Sequence, residues 1–149
     1  MKKFLPVRKK IRLQHYDYAT ENIYFITICI KNRTQLLGKI IKDNIELSRK
    51  GLIVQYNISK LEQLYNNIII DEYVIMPNHI HLLVWIRYKQ NVTLSKIIKH
   101  FKTNISKDIG LSIWQKSFYE HIIRTNNEYL RIKEYIRNNI INWAKDKYF

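Results

Sequence analysis

Apolar positions along this chain alternate between two spacings, and the switches mark its elements. Tyr24 to Ile30 is a β-branched and aromatic run with no breaker, which predicts a buried strand. Ser48 can cap a helix running to about Asn66, with Leu52, Tyr56, Leu61 and Leu64 near one face. Ile68 to Met76 reads as a second strand, stopped by Pro77-Asn78, and His79 to Arg87 as a third. Thr93 or Ser95 opens a second helix through about Ile109, with Ile97, Ile98, Phe101 and Ile105 inward and Gly110 as its C-cap. Phe118 to Arg124 is a short fourth strand. Thr125 and Glu128 form a T-x-x-E capping box, which launches a last helix through Asn139 or beyond.

The order β-α-β-β-α-β followed by a helix predicts an α+β fold of the ferredoxin-like, split βαβ type. At 149 residues the chain fits a single domain, 1–149, with enough apolar content (46%) to bury a core. Residues 1–14, rich in Lys and Arg, read as a basic N-terminal arm. The net charge of +14 favours a polyanionic partner, nucleic acid or an anionic membrane surface, although a solvated basic face has the same composition. No apolar run approaches the length of a membrane-spanning helix, and Met1 to Leu5 stops at Pro6 without a signal-peptide core. The single Cys29 cannot form an internal disulfide, so a cytoplasmic protein is expected.

The candidate chemistry lies in Met76-Pro77-Asn78-His79-Ile80-His81. On a strand, residues i and i+2 share a face, with α-carbons about 6.6 Å apart. His79 and His81 can therefore lean together onto one divalent ion, while Ile80, Leu82 and Val84 anchor the other face in the core. Taken alone, an H-x-H is equally compatible with two ordinary histidines on a half-exposed strand. Two imidazoles are also too few for a tight zinc site. In the last helix, Tyr129, Ile132, Ile136, Ile140 and Trp143 form the apolar stripe. Tyr135 and Asn139 sit one turn apart on its edge, flanked by Glu128 and Asn142. Helix geometry by itself is satisfied if Tyr135 merely extends the core.

Together these residues resemble the REP-associated tyrosine transposases, a branch of the single-tyrosine HUH transposases of bacterial insertion sequences. The resemblance begins at Arg12-Leu13 and Tyr16-Asp17-Tyr18. It runs through Tyr24 to Thr27, Lys31-Asn32-Arg33, Gly38-Lys39-Ile40 and Met76 to His81. It continues at Trp114-Gln115, Phe118 to His121 and Ile123-Arg124, and ends at Tyr135 to Asn139 and Trp143. It implies that His79 and His81 are metal ligands, that Asn139 is the third ligand through its amide, and that Tyr135 is the nucleophile. The implied cofactor is Mg²⁺ or Mn²⁺, with no small-molecule cofactor. The implied substrate is single-stranded DNA, or a hairpin with single-stranded flanks. The implied reaction leaves a covalent 5′-phosphotyrosine and a free 3′-hydroxyl. The branch usually places proline after this asparagine. Here Ile140 follows, which leaves the helix free to run to about Lys145.

Phosphate contacts are expected from Arg8, Lys9, Lys10 and Arg12 in the arm. Lys96, Lys99 and Lys102 on the second helix read first as solvated surface. His121 and Arg124 fall in a block of the resemblance, where His121 can orient a phosphate or satisfy a local hydrogen bond. Two other classes fit the same charge. One is a catalytically silent, domesticated DNA-binding relative. The other is an RNA-binding module, disfavoured because its strand would need an aromatic-rich face where this chain offers His79, His81, Leu83 and Trp85. A monomer or a homodimer is compatible with the resemblance.

Overall fold

The computed structural model describes residues 22–87 and 92–145. The chain runs through β1 (Asn22–Cys29), a 3₁₀ turn (Lys31–Arg33), β2 (Gly38–Ile41), β3 (Asn44–Leu47) and α1 (Arg49–Leu64). It continues with β4 (Ile68–Ile75), β5 (His79–Ile86), α2 (Leu94–Ile109), β6 (Tyr119–Ile123), α3 (Asn126–Arg137) and a closing 3₁₀ turn (Trp143–Lys145). The main sheet has the order β4-β5-β1-β6, with every neighbouring pair antiparallel. That is the ferredoxin-like arrangement expected from the element order.

Both faces of the sheet are covered. On one, Ile26, Ile28, Ile80 and Leu82 meet Val54 and Ile58 of α1 and Ile97, Phe101 and Ile105 of α2. On the other, Ile23, Val74, Leu83 and Trp85 meet Tyr129 and Ile136 of α3. Double coverage explains why β5 reads as an almost unbroken apolar run rather than an alternation. Each such side chain contributes roughly 1.5–3 kcal/mol on burial, so the central strands β1 and β5 anchor the fold.

Local signals behave as expected where they are self-contained. Ser48, Thr93 and Thr125 each accept a hydrogen bond from the amide three residues on, and Gly110 ends α2 with φ 97°. Three expectations need correction. First, the β2–β3 hairpin is absent from the sequence pattern. Its turn places Lys42 (φ 51°) and Asp43 (φ 62°) in the left-handed region, positions that Asn-Gly or Asp-Gly usually announces.

Second, α1 buries Gly51, Val54, Asn57, Ile58 and Leu61, while Leu52, Tyr56 and Leu64 are exposed. The deciding contact is Gly51, where a Cβ would sit 2.0 Å from the carbonyl oxygen of Leu37. That approach fixes the helix rotation, and Asn57 completes the face by donating to Asp108 on α2 (3.1 Å). Third, α3 ends at Arg137 and does not continue through Asn139 toward Lys145. Asn138 is its C-cap, and Asn139 donates to Ile136 (3.2 Å) in a tightened turn. The absence of proline at Ile140 therefore does not lengthen the helix.

Candidate active site

The β1–β5 register sets Thr27 opposite His81 and Cys29 opposite His79. Directly opposed residues project to one face, so Thr27 can reach the His81 ring, and its Oγ1 lies 2.8 Å from His81 Nδ1. His79 is held by the turn before it, its Nδ1 lying 2.7 Å from Asn78 Oδ1. The Asn78 amide is oriented by a second contact, Nδ2 donating to the carbonyl of Arg33 (3.4 Å). Asn78 thus presents its oxygen to His79, which makes Nδ1 the donor of that pair and turns Nε2 away from it. In both histidines the bond is made at Nδ1, and Nε2 is buried without a hydrogen bond among the described residues.

Both rings are fully buried, 4.7 Å apart at their centroids and steeply inclined (73°). Phe25 stacks on His81 (5.1 Å, 26°). Tyr135 approaches the same ring edge-on at 5.4 Å and touches Phe25 at 6.1 Å. Tyr135 is 40% exposed, so its ring rests on the histidine while the side chain remains open to solvent. Asn139, in the turn after α3, is buried, and its Oδ1 makes no hydrogen bond among the described residues. Those residues hold no cluster of three or more His, Cys, Asp or Glu. A metal-binding set built on the two imidazoles would need an oxygen from another residue type, such as the Asn139 amide.

Two polar clamps hold α3 on the sheet. At its start, Glu128 accepts from the Arg124 amide (3.0 Å) and pairs with His121 Nε2 (2.7 Å). His121 is thereby engaged in a local bond, and Arg124 takes part through its backbone while its side chain is exposed. Farther along, Tyr129, Lys133 and Arg137 reach down to β4 at intervals of four residues. Tyr129 donates to Asp71, and Lys133 pairs with Asp71 at 3.3 Å. Trp85 of β5 donates to the same carboxylate (3.4 Å), and Arg137 pairs with Glu72 (2.8 Å). The β4–β5 register shifts between Ile70 and Glu72, at Asp71. Burial, followed by the Asp71 charge, pushes the Tyr129 hydroxyl far above its ordinary value, so it remains a donor.

The Arg124 amide first, and then His121, hold the Glu128 carboxyl below the usual carboxylate range. A lowered folded-state pKa adds stability that is complete above the unfolded value and lost as pH falls through the lowered one. The start of α3 should therefore loosen in acid, below about pH 4.5. Protection of its first-turn amides against hydrogen exchange, taken relative to the intrinsic rate at each pH, should fall there in the native protein. In Glu128→Gln the acid step should vanish, and an unchanged step would remove Glu128 as its source.

Among the predicted residues, His79, His81 and Tyr135 come together, and Asn139 is buried one turn beyond Tyr135. Arg8, Lys9, Lys10 and Arg12 lie outside the described residues. Thr27, Phe25 and Asp71 were not predicted as site residues. Phe25 and Thr27 stand in the Tyr24–Thr27 block of the resemblance, but their roles, like that of Asp71, depend on strand register and on contacts across the sheet.

The family model for IS200-like transposases matches residues 19–139, most of the chain and all of this site. The chain belongs to the IS200-like transposase family. DNA binding and DNA recombination are thus its class of function. It is 35% identical to an uncharacterized protein of Haemophilus influenzae, over 95% of this chain and 93% of that one. It is 24% identical to a REP-associated tyrosine transposase of Escherichia coli, over 86% of this chain and 73% of that protein. Its fold matches a REP-associated tyrosine transposase solved with a REP hairpin, with a TM-score of 0.69 at 24% identity over 86% of this chain and 72% of the other. A putative transposase of Deinococcus radiodurans matches with a TM-score of 0.54 at 15% identity, over 79% of this chain and 90% of that one. As an IS200-like transposase it is expected to cut and join DNA strands. No helix among the described residues is long and apolar enough to cross a membrane.

Proposed function

We propose that this IS200-like transposase cleaves and rejoins single-stranded DNA flanking a hairpin, through a covalent phosphotyrosine on Tyr135. The observation that carries the reading is the half-exposed Tyr135 resting on His81, a ring whose other edge is tied to Thr27. The Tyr135 Oη attacks the scissile phosphorus, and the bond from phosphorus to the 3′-oxygen breaks. The phenol proton passes to solvent, the departing 3′-oxygen gains a proton, and the downstream strand stays on the enzyme by its 5′-phosphate. Attack by a 3′-hydroxyl reverses the step, so rejoining needs no external energy source.

The donor set of His79, His81 and Asn139 fits a divalent ion, Mg²⁺ or Mn²⁺, better than a structural zinc, which favours four strong ligands. When bound, such an ion supplies positive charge that polarises the phosphate. Thr27 and Asn78 orient the two imidazoles from behind, and Phe25 walls off one side of His81. Thr27→Val should therefore weaken Mn²⁺ activation roughly 10–100-fold, by analogy with other ligands that have lost their orienting partner. A Mn²⁺ titration of cleavage measures this. An unchanged midpoint would show that Thr27 does not act on the ligand.

The reading is tested by incubating the protein with hairpin DNA labelled at its 3′ or its 5′ end, with and without Mn²⁺. The 3′ label should become covalently attached to protein only with Mn²⁺, and the 5′ label should leave on a shortened strand. Binding without an adduct under any of these conditions would point to the catalytically silent relative instead.

A further inference from the structure

Lys102 and its neighbours form a feature that the catalytic site does not use. Ser95, Lys99, Thr103 and Lys107 follow one another at intervals of four along α2. All four line a groove of about 750 Å³ between that helix and the loop leading to β6. At 1.5 Å per residue this ridge spans about 18 Å, the rise of roughly five nucleotides along one strand of duplex DNA. Every side chain on it is of a type that contacts phosphate. Lys102 has a different task. Its ammonium donates to the carbonyls of Gln115, Lys116 and Ser117 (2.7, 3.3 and 3.3 Å), which fastens the loop as the far wall of the groove.

Two further observations point to a ligand. Trp114, 3% exposed, lines the groove, and its indole N–H has no acceptor among the described residues. The loop wall is also shared with a second hollow of about 680 Å³, lined by Lys31, Asn32 and Arg33. Arg33 in turn accepts from Asn78, the residue that orients His79. The two basic hollows thus share the Gln115–Ser117 wall, and the second is bounded by Arg33, whose carbonyl is hydrogen-bonded to the neighbour of His79.

We infer that the α2 groove, with Lys99 and Lys107 on one wall and Lys116 on the other, is a second DNA-binding surface. It holds the sugar-phosphate backbone of the hairpin stem while the single-stranded flank occupies the site at Tyr135. The inference rests on the reading of this chain as a DNA-processing enzyme, and its test is read without cleavage. Lys99 and Lys107 are both exposed, so their replacement leaves the core intact.

The experiment measures fluorescence anisotropy of a labelled DNA hairpin with single-stranded flanks, in Tyr135→Phe protein with chelator present, across a salt series. Lys99→Gln/Lys107→Gln should weaken binding roughly tenfold at 0.15 M salt. It should also reduce the slope of log affinity against log salt by about 1.8, as the loss of two phosphate contacts requires. The control, Lys39→Gln/Lys42→Gln, removes two exposed charges from the β2–β3 hairpin. An equal loss in control and groove variants would overturn the inference, since net charge alone would then explain the effect. Weaker binding with an unchanged salt slope would overturn it as well. A reduced slope in the groove variant, in a protein whose wild type makes no adduct with Mn²⁺, would retain the groove and remove the catalytic reading. An adduct-forming wild type with an unaffected groove variant would do the reverse.

Discussion

Replacing Tyr135 with phenylalanine is expected to abolish the covalent protein–DNA adduct, a loss on the order of 10⁴-fold or more, while folding and hairpin binding persist. The expectation follows from what the substitution keeps. The ring contacts of Tyr135 with His81 and Phe25 are made by its aromatic body, which phenylalanine retains. The side chain is 40% exposed, so removing the hydroxyl empties no core. Only the hydroxyl oxygen, the nucleophile of the proposed reaction, is lost, and losses of that kind remove an interaction made solely in the reaction. The adduct is read on a denaturing gel with 3′-labelled hairpin DNA, and folding by thermal denaturation of the same preparation. An adduct formed equally well by the variant would assign the nucleophile to another residue.

The second large effect is on stability. Asp71→Ala should cost about 3–5 kcal/mol, the range for breaking a buried charge pair by removing one partner. The Asp71 side chain is 2% exposed and the Lys133 side chain 13%, so neither charge is well solvated. Without the carboxylate, the Lys133 ammonium loses its counter-charge, and the Tyr129 hydroxyl and Trp85 indole lose a common acceptor. All three are then left in an apolar layer. Asp71→Asn keeps an acceptor for Tyr129 and Trp85 and removes only the charge, so its loss should be smaller. Urea denaturation separates the two variants. A loss below about 1 kcal/mol in Asp71→Ala would mean that water replaces the carboxylate and that the clamp does not hold α3. Because α3 carries Tyr135, the destabilised variant should also form adduct more slowly at temperatures where it remains folded.

The legible parts of this protein are those whose cause is local. Caps at Ser48, Thr93 and Thr125, the left-handed stop at Gly110 and the helical stripe of α2 are each decided within about four residues. They stand where the sequence placed them. The His79-Ile80-His81 alternation belongs with them, since strand geometry alone puts both imidazoles on one side. What was not legible is decided at a distance. The rotation of α1 depends on a carbonyl of Leu37 meeting Gly51, and apolar residues at Leu52, Val54, Tyr56, Ile58 and Leu64 leave its periodicity ambiguous. The β2–β3 turn hides because Lys42 and Asp43 are poor signals for left-handed backbone. Asp71 reads as an ordinary polar residue in a strand until the β4 irregularity and α3 are both in place. Even the expectation of separate ligand and packing faces on β5 needed the fold, because α3 covers the histidine side too.

The β5 register carries a further consequence for how this protein can fail. The pairing that sets Thr27 beside His81 also sets Ile28 beside Ile80 and Ile26 beside Leu82. A slip of one residue would turn His79 and His81 toward α1 and α2, and send Ile80 and Leu82 to the α3 side. Two imidazoles would then enter an aliphatic layer with no Thr27 or Asn78 to meet them, an arrangement much costlier than the native one. Correct placement of the histidine pair beside Thr27 and correct assembly of the hydrophobic interior are therefore a single event. A chain whose β5 pairs out of register loses its histidine pair and its aliphatic interior together.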